Sequence, residues 1–308
     1  MIASRHPIRK ESMKLCRLLA AAVLLATPVI APARTTATHP DFAVGPQYDS
    51  THVYVAPADF DRFMASFIAT FGGNTSKQGV FQVTPTASQT ISQVAMTPVG
   101  LVSVFGFKTP IPYPFGAERT GYLVTDIDAA VAAARKAGAT RLVNTFPDPI
   151  GRDVVLQWPG GVTMQFYWHT VKPNYAPTAT VPENRIYLTE DAADLFITHW
   201  RTFAHGVIVS DDAAAPGSEI GRPDVRYRRV RLRSGFGNMT VLVTDGALPW
   251  PYGREVTGYT VPDVSATLAK ATEAGVETLV PPHREADRVS TMVRFPGGYI
   301  AEIHSNGR

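Results

Sequence analysis

From residue 49 onward the hydrophobic pattern changes period in a fixed order. THVYVA (51–56) alternates as a strand. After Asp59, a residue type that caps helices, Phe60, Phe63, Met64 and Phe67 recur at three- and four-residue spacing, the buried stripe of an amphipathic helix. Strand-like segments follow at about 79–84, 90–97 and 101–107. The order then restarts: GYLVT is a strand, IDAAVAAARKAG is a helix closed by Gly138, and 140–144, 153–158 and 162–168 are strands. The pattern is βαβββ followed by βαβββ.

That pair is itself repeated. PYPFGAERTGY (112–122) returns as PWPYGREVTGY (249–259), and the halves align without a gap at an offset of 137 residues from Gly100/Gly237 to Gln165/Glu302. GYLVTDID/GYTVPDVS, AGATRLV/AGVETLV and WPGGVTMQ/FPGGYIAE fall along it. Upstream, THVYVAPADFDRFMASF matches NRIYLTEDAADLFITHW at an offset of 133, so the second half carries about four extra residues, placed within SDDAAAPGSEIGRPD. Each half is a complete unit. The expected fold is α+β, four βαβββ modules in two domains at 49–171 and 184–308, with a Pro-rich linker at 172–183 and a polar leader at 34–48.

Composition adds the compartment. Of 308 residues, 45% are hydrophobic and 18% charged, as in ordinary globular proteins, and the net charge is only +3. Arg5, Arg9, Lys10, Lys14 and Arg17 crowd the N-terminus, so the remainder is close to neutral and nothing points to nucleic acid. These bases precede a short, Pro-interrupted apolar run from Leu18 and then Ala31-Pro-Ala33, which reads as a signal peptide over 1–33, starting at Met1 or Met13. The expectation is a secreted or periplasmic protein with no membrane anchor after cleavage. The single cysteine, Cys16, precedes the apolar run, so the mature chain has neither disulfide nor thiolate ligand.

The order of modules, His52 seven residues before Asp59, the V-x-D-[IV]-x-A…A-A-G-A/V runs at 124–139 and 261–276, and the P-G-G-x-x-x-[QE] endings at 159–165 and 296–302 resemble the vicinal oxygen chelate superfamily, which includes glyoxalases, extradiol dioxygenases and bleomycin-resistance proteins. The resemblance covers almost all of the mature chain. It implies paired modules forming cupped sheets whose concave face holds a small molecule. It also implies a divalent metal such as Zn, Ni, Mn or Fe, held by His, Glu or Gln from four positions.

At those positions the first half has His52, about Ser103, about Arg119, and Gln165; the second has Arg185, about Thr240, about Val256, and Glu302. A guanidinium has no lone pair and repels a cation, so neither set is complete. A one-residue slip would replace Arg119 by Glu118 and Val256 by Glu255, and strand alternation lets only one of each pair face the cup. With Glu118 inward, His52, Glu118 and Gln165 could hold a metal; with Arg119 inward, the cup would favour an anion. Alternatively, Glu118 and Glu255 accept backbone N–H bonds and fix the loops before them. Two readings follow from the resemblance. In one, the chain binds a small organic molecule through residues such as Arg119, Arg185 and Glu302, its metal site degenerate. In the other, it is a metal-dependent lyase, isomerase or dioxygenase working through domain 1.

Other candidates are weaker. Glu302 and His304 share a strand face, as do Gln165, Tyr167 and His169, but His304 lies four residues from the C-terminus, where fraying is expected. His199, Trp200 and His205 read as helix packing and capping residues, and Tyr113, Phe115, Trp250 and Tyr252 as aromatic packing between modules or pocket lining. The chain has no G-x-S-x-G, P-loop or strand-flanked G-x-G-x-x-G motif.

Overall fold

Strands that alternate cup-facing and core-facing residues, joined by helices with one apolar face, can bury that face only against another such layer. The computed structural model describes residues 42, 44–111, 116, 118–245, 255–286 and 288–306. The proposed signal peptide, most of the leader and the four aromatic residues Tyr113, Phe115, Trp250 and Tyr252 lie outside the described residues.

The first half contains β1 (Asp49–Tyr54), α1 (Phe60–Phe71), β2 (Asn74–Thr75), β3 (Gly79–Phe81), β4 (Thr90–Thr97) and β5 (Gly100–Phe107), then β6 (Glu118–Leu123), α2 (Ile127–Lys136), β7 (Thr140–Pro147), β8 (Gly151–Trp158) and β9 (Val162–His169). The second contains β10 (Glu183–Leu188), α3 (Glu190–Ala204), β11 (Val207–Pro216), β12 (Arg226–Ser234) and β13 (Gly237–Val243), then β14 (Glu255–Thr260), α4 (Val264–Glu273), β15 (Glu277–Glu285), β16 (Arg288–Arg294) and β17 (Ile300–Asn306). One sheet runs β2-β4-β5-β1-β6-β9-β8-β7, with β3 also on β4; the other runs β11-β12-β13-β10-β14-β17-β16-β15. The α+β fold of four βαβββ modules in two sheets is therefore present.

The repeat extends to local chemistry. Asp126 accepts a hydrogen bond from the Ala129 N–H at the start of α2, and Asp263 does the same for Ala266 in α4. Asp59 holds the N-cap position of α1, yet its carboxylate pairs with Arg62 instead of the backbone. The tail expected to fray is the last strand, β17, with His304 only 1% exposed.

Neither half owns its core. On β1, Val53 points to the helix side while His52 and Tyr54 point to the cup; on β9, Phe166 alternates in the same way with Gln165 and Tyr167. The helix sides of the two sheets bury each other. α1 brings Phe63 and Phe67 against Tyr299 and Phe295 of the second half, at ring distances of 5.7 and 5.3 Å. α3 brings Trp200 and Phe203 against Trp158 and Phe166 of the first, at 5.4 and 5.1 Å. Rings of this size carry much of the burial energy of a core, here spent across the two halves. The concave faces are left on the outside.

The end of the leader and the linker are built into this frame. Gln47 accepts from the Leu123 N–H and donates to its carbonyl, and Tyr48 packs with Leu123, Tyr167 and the linker's Tyr175.

Candidate functional site

Strand register sets the floor of the first cup. His52 on β1 lies opposite Ser103 of β5 on one side and Arg119 of β6 on the other, and Gln165 of β9 pairs with Gly121 of β6. Gly121 leaves room for the imidazole: a Cβ there would come within 2.5 Å of His52 Cε1. Above this floor is a cavity of about 540 Å³, a size typical of small-ligand sites.

Arg119, not Glu118, faces the cavity. Its Nη2 donates to Tyr54 Oη at 2.7 Å and to Gln165 Oε1 at 2.8 Å, while Nε has no partner in the structure. Among the described residues no carboxylate lies within ion-pair distance of it. Glu118 points the opposite way, because adjacent residues of a strand face opposite sides. Its carboxylate accepts the backbone N–H and hydroxyl of Thr257, both at 2.9 Å, and the Tyr299 hydroxyl at 2.9 Å. Glu255 returns the contact, accepting from Thr120 N and Oγ1 at 3.2 and 3.0 Å. The repeated E-x-T-G-Y is thus a reciprocal clasp between the halves, each glutamate held by the threonine of the other copy. Among the described residues the expected backbone contact is made to the other half; most of the loop before each glutamate lies outside the described residues. Burial first, then the charge of Glu255, pushes the Glu118 pKa up to about 8 despite these bonds; burial raises that of Glu255 to about 7.

The set His52, Glu118 and Gln165 is therefore not assembled. In the donor set that does meet, the Gln165 oxygen is occupied by a guanidinium, and a cation beside the remaining His52 opposes a second cation. Among the described residues no cluster of three His, Cys, Asp or Glu is placed to hold a metal. The residues present do not fit the metal that the fold resemblance implies.

Two acids in the cup were not singled out by the sequence. Asp49 accepts from His52 Nε2 at 3.3 Å and from Ser103 Oγ at 2.5 Å. Burial opposes its charge, but these bonds and the nearby imidazole outweigh it and lower its pKa. Regular alternation would put residues 49 and 52 on opposite faces; a register shift between Asp49 and Thr51 brings them together. Asp153 follows Arg152 and precedes the apolar Val154, Val155 and Leu156 of β8, a polar position at a strand start that carries no signal of its own. Burial, then the charges of Asp148 and Asp49, pushes its pKa well above the ordinary value.

The second cup has the same register and a different filling. Arg185 pairs across strands with Thr240 and Val256, and Glu302 with Gly258. Arg185 is fully buried and contacts Glu183 at 3.0 Å, Glu219 at 3.1 Å and Glu302 at 3.4 Å. Arg288 joins Glu302 to Glu183, Arg229 joins Glu219 to Glu285, and His304 Nδ1 lies 2.8 Å from Glu302. Tyr187, Ile220, Tyr227 and Met292 fill the space beside these ions. Arg185 and Glu302, read as ligand-binding residues, are consumed by this network. Burial opposes ionisation of Glu302, but Arg185 and Arg288 hold its pKa well below the usual range. Glu183 is held at about 2 by Arg288 and Arg185 against the same penalty.

No protein-family model matches the chain, and comparison with curated protein sequences finds no relative. Solved structures do match. A mutant 4-hydroxymandelate synthase from Streptomyces coelicolor superposes with a TM-score of 0.60 at 13% identity, covering 86% of this chain and 94% of that one. The 2,3-dioxygenase LapB from Pseudomonas sp. KL28 gives 0.53 at 10% identity over 87% and 94%. The Mn(II)-bound glyoxalase from Novosphingobium aromaticivorans gives 0.53 at 14% identity over 86% and 83%. At these identities the likeness is one of fold alone, and that fold, two sheets of paired βαβββ modules, is the one that the resemblance to the vicinal oxygen chelate superfamily implies.

Proposed function

We propose that this is an exported protein that binds a small organic molecule in the first cup without a metal ion, the second half serving as its structural support. The observation that carries this reading is the contrast at matched floor positions. The first cup keeps a cavity of about 540 Å³ over His52, Arg119 and Gln165, and the second is filled by paired ions and apolar side chains. Export rests on the basic and apolar N-terminus alone.

One of the similar structures is named as Mn(II)-bound, so metal is the alternative to test. The purified chain, offered Zn, Ni, Mn and Fe(II) in turn and dialysed, should retain none at stoichiometric level by elemental mass spectrometry. In parallel, native mass spectrometry of the chain as purified should reveal co-purifying small molecules. About one metal per chain, lost in His52→Ala, would overturn the metal-free reading in favour of a metal-dependent enzyme.

A further inference from the structure

A guanidinium taken from water into a partly apolar cup is costly unless something balances its charge. The second cup balances its floor arginine internally: Arg185 meets three carboxylates. The first cup does not. Where the second half has Glu302, the first has Gln165, a neutral amide at 2.8 Å from Arg119. The other contact of Arg119 is a phenol, and its Nε is buried without a partner.

The carboxyls that share this cavity are accounted for. Asp49 is occupied by His52 and Ser103, and Asp148 accepts the Ile150 N–H at the rim. Asp153 lies among acidic neighbours that, with burial, favour its uncharged form. Asp153 and Glu255 act on Arg119 only through their field, so among the described residues no carboxylate pairs with it directly and its contact partner is left to a ligand.

The walls specify shape. Tyr54 stacks on Phe105 at 5.7 Å and 25° and on Phe107 at 6.1 Å and 28°, giving three near-parallel rings on β1 and β5. All three are half-buried and line the cavity. A planar ring can extend such a row at little conformational cost, and an aliphatic chain cannot stack.

From this geometry we infer that the ligand of the first cup is a planar aromatic carboxylate, its carboxylate on Arg119 and its ring along Tyr54, Phe105 and Phe107. The inference rests on the reading of that cup as a small-molecule site. A single guanidinium with no carboxylate partner among the described residues suits a monoanion, and guanidinium geometry matches a carboxylate.

The test is isothermal titration calorimetry of the purified chain with 2-naphthoate and its neutral counterpart 2-naphthamide. Wild-type protein should bind the acid at least tenfold more tightly than the amide. Arg119→Met should bring that ratio close to one. Gln165→Glu, which supplies a protein counter-ion as in the second cup and guards against a folding defect in the first variant, should do the same. Equal binding of acid and amide by wild-type protein would overturn the anion assignment and leave small-molecule binding standing. Binding of neither at millimolar concentration would overturn both together.

Discussion

The two cups share their register and differ in who supplies the counter-charge. At the floor of the second, Arg185 and Arg288 are locked among Glu183, Glu219 and Glu302; at the floor of the first, Arg119 faces an amide, a phenol and a cavity. Much of the difference traces to the extra residues of the second half. They fall in the segment that forms β11 and the turn after it, and that turn carries Glu219, 1% exposed, between Arg185 and Arg229. Gly217 permits the turn, since a Cβ there would lie 2.1 Å from the Arg222 carbonyl oxygen. The corresponding region of the first half carries Phe81 and Val83 to the cavity wall and no acid to its floor. Duplication kept the frame; one insertion and a few side chains decided which cup is packed and which is open.

The largest expected effect follows from breaking the packed cup. Glu302→Gln would leave Arg185 and Arg288 short of a buried carboxylate, and removing one partner of a buried ion pair costs about 3–5 kcal/mol. The converse change at the matched position, Gln165→Glu, should alter stability by less than about 1 kcal/mol, because the open cup has room and water to accommodate the charge. Urea denaturation of both variants checks this. Comparable losses in the two would end the claim that the cups differ in kind.

The next effect is in pH, where clasp and network act with opposite signs. Glu118 and Glu255 have folded pKa values of about 8 and about 7, above the ordinary 4.5. Between about pH 5 and pH 8 the folded chain therefore holds more protons than the unfolded one, and stability falls as pH rises. In the second cup Glu183 is lowered to about 2 and Glu302 well below the usual range, so their contribution is present above about pH 4.5 and is lost as pH falls toward 2. A stability profile with a maximum near pH 5–6 is expected. At about 1.4 kcal/mol per pKa unit, discounted for partial exposure, the alkaline limb should be on the order of 1–3 kcal/mol. Glu118→Gln should flatten that limb and leave the acid limb; an unchanged alkaline limb would show that the clasp is not what titrates.

Much of this frame is legible in the sequence because hydrophobic period and duplication report the same thing independently. The gap-free offset of 137 residues aligns Gln165 with Glu302, and the observed pairing of each with a glycine of the neighbouring β6 or β14 agrees with it. Period 2 also says that Glu118 and Arg119 point apart, but no local property says which of them faces the cup. That depends on what lies behind the strand, Thr257 and Tyr299, more than 130 residues away in the chain. Asp49 was hidden by a bulge that breaks the alternation, and Glu219 by an insertion that has no counterpart to align with. His304 was set aside for its place near the C-terminus, although a strand pairing on both edges holds it.

The smallest expected effect separates the two arginines most sharply. Arg185→Met takes from each of three buried carboxylates one of its two arginine partners and should destabilise the chain by about 3–5 kcal/mol. Arg119→Met removes two hydrogen bonds to neutral groups and, with them, the cost of a buried cation that no described carboxylate pairs with directly. Each lost neutral bond is worth about 1 kcal/mol, and Tyr54 and Gln165 border a cavity where water can replace the donor. The two terms oppose each other, and the net change should lie within about 1 kcal/mol of zero. Thermal unfolding of the two variants at pH 7 and low salt measures both numbers side by side. A loss at Arg119 as large as that at Arg185 would make it a structural cation like its counterpart, and the open cup would then have no charge reserved for a ligand.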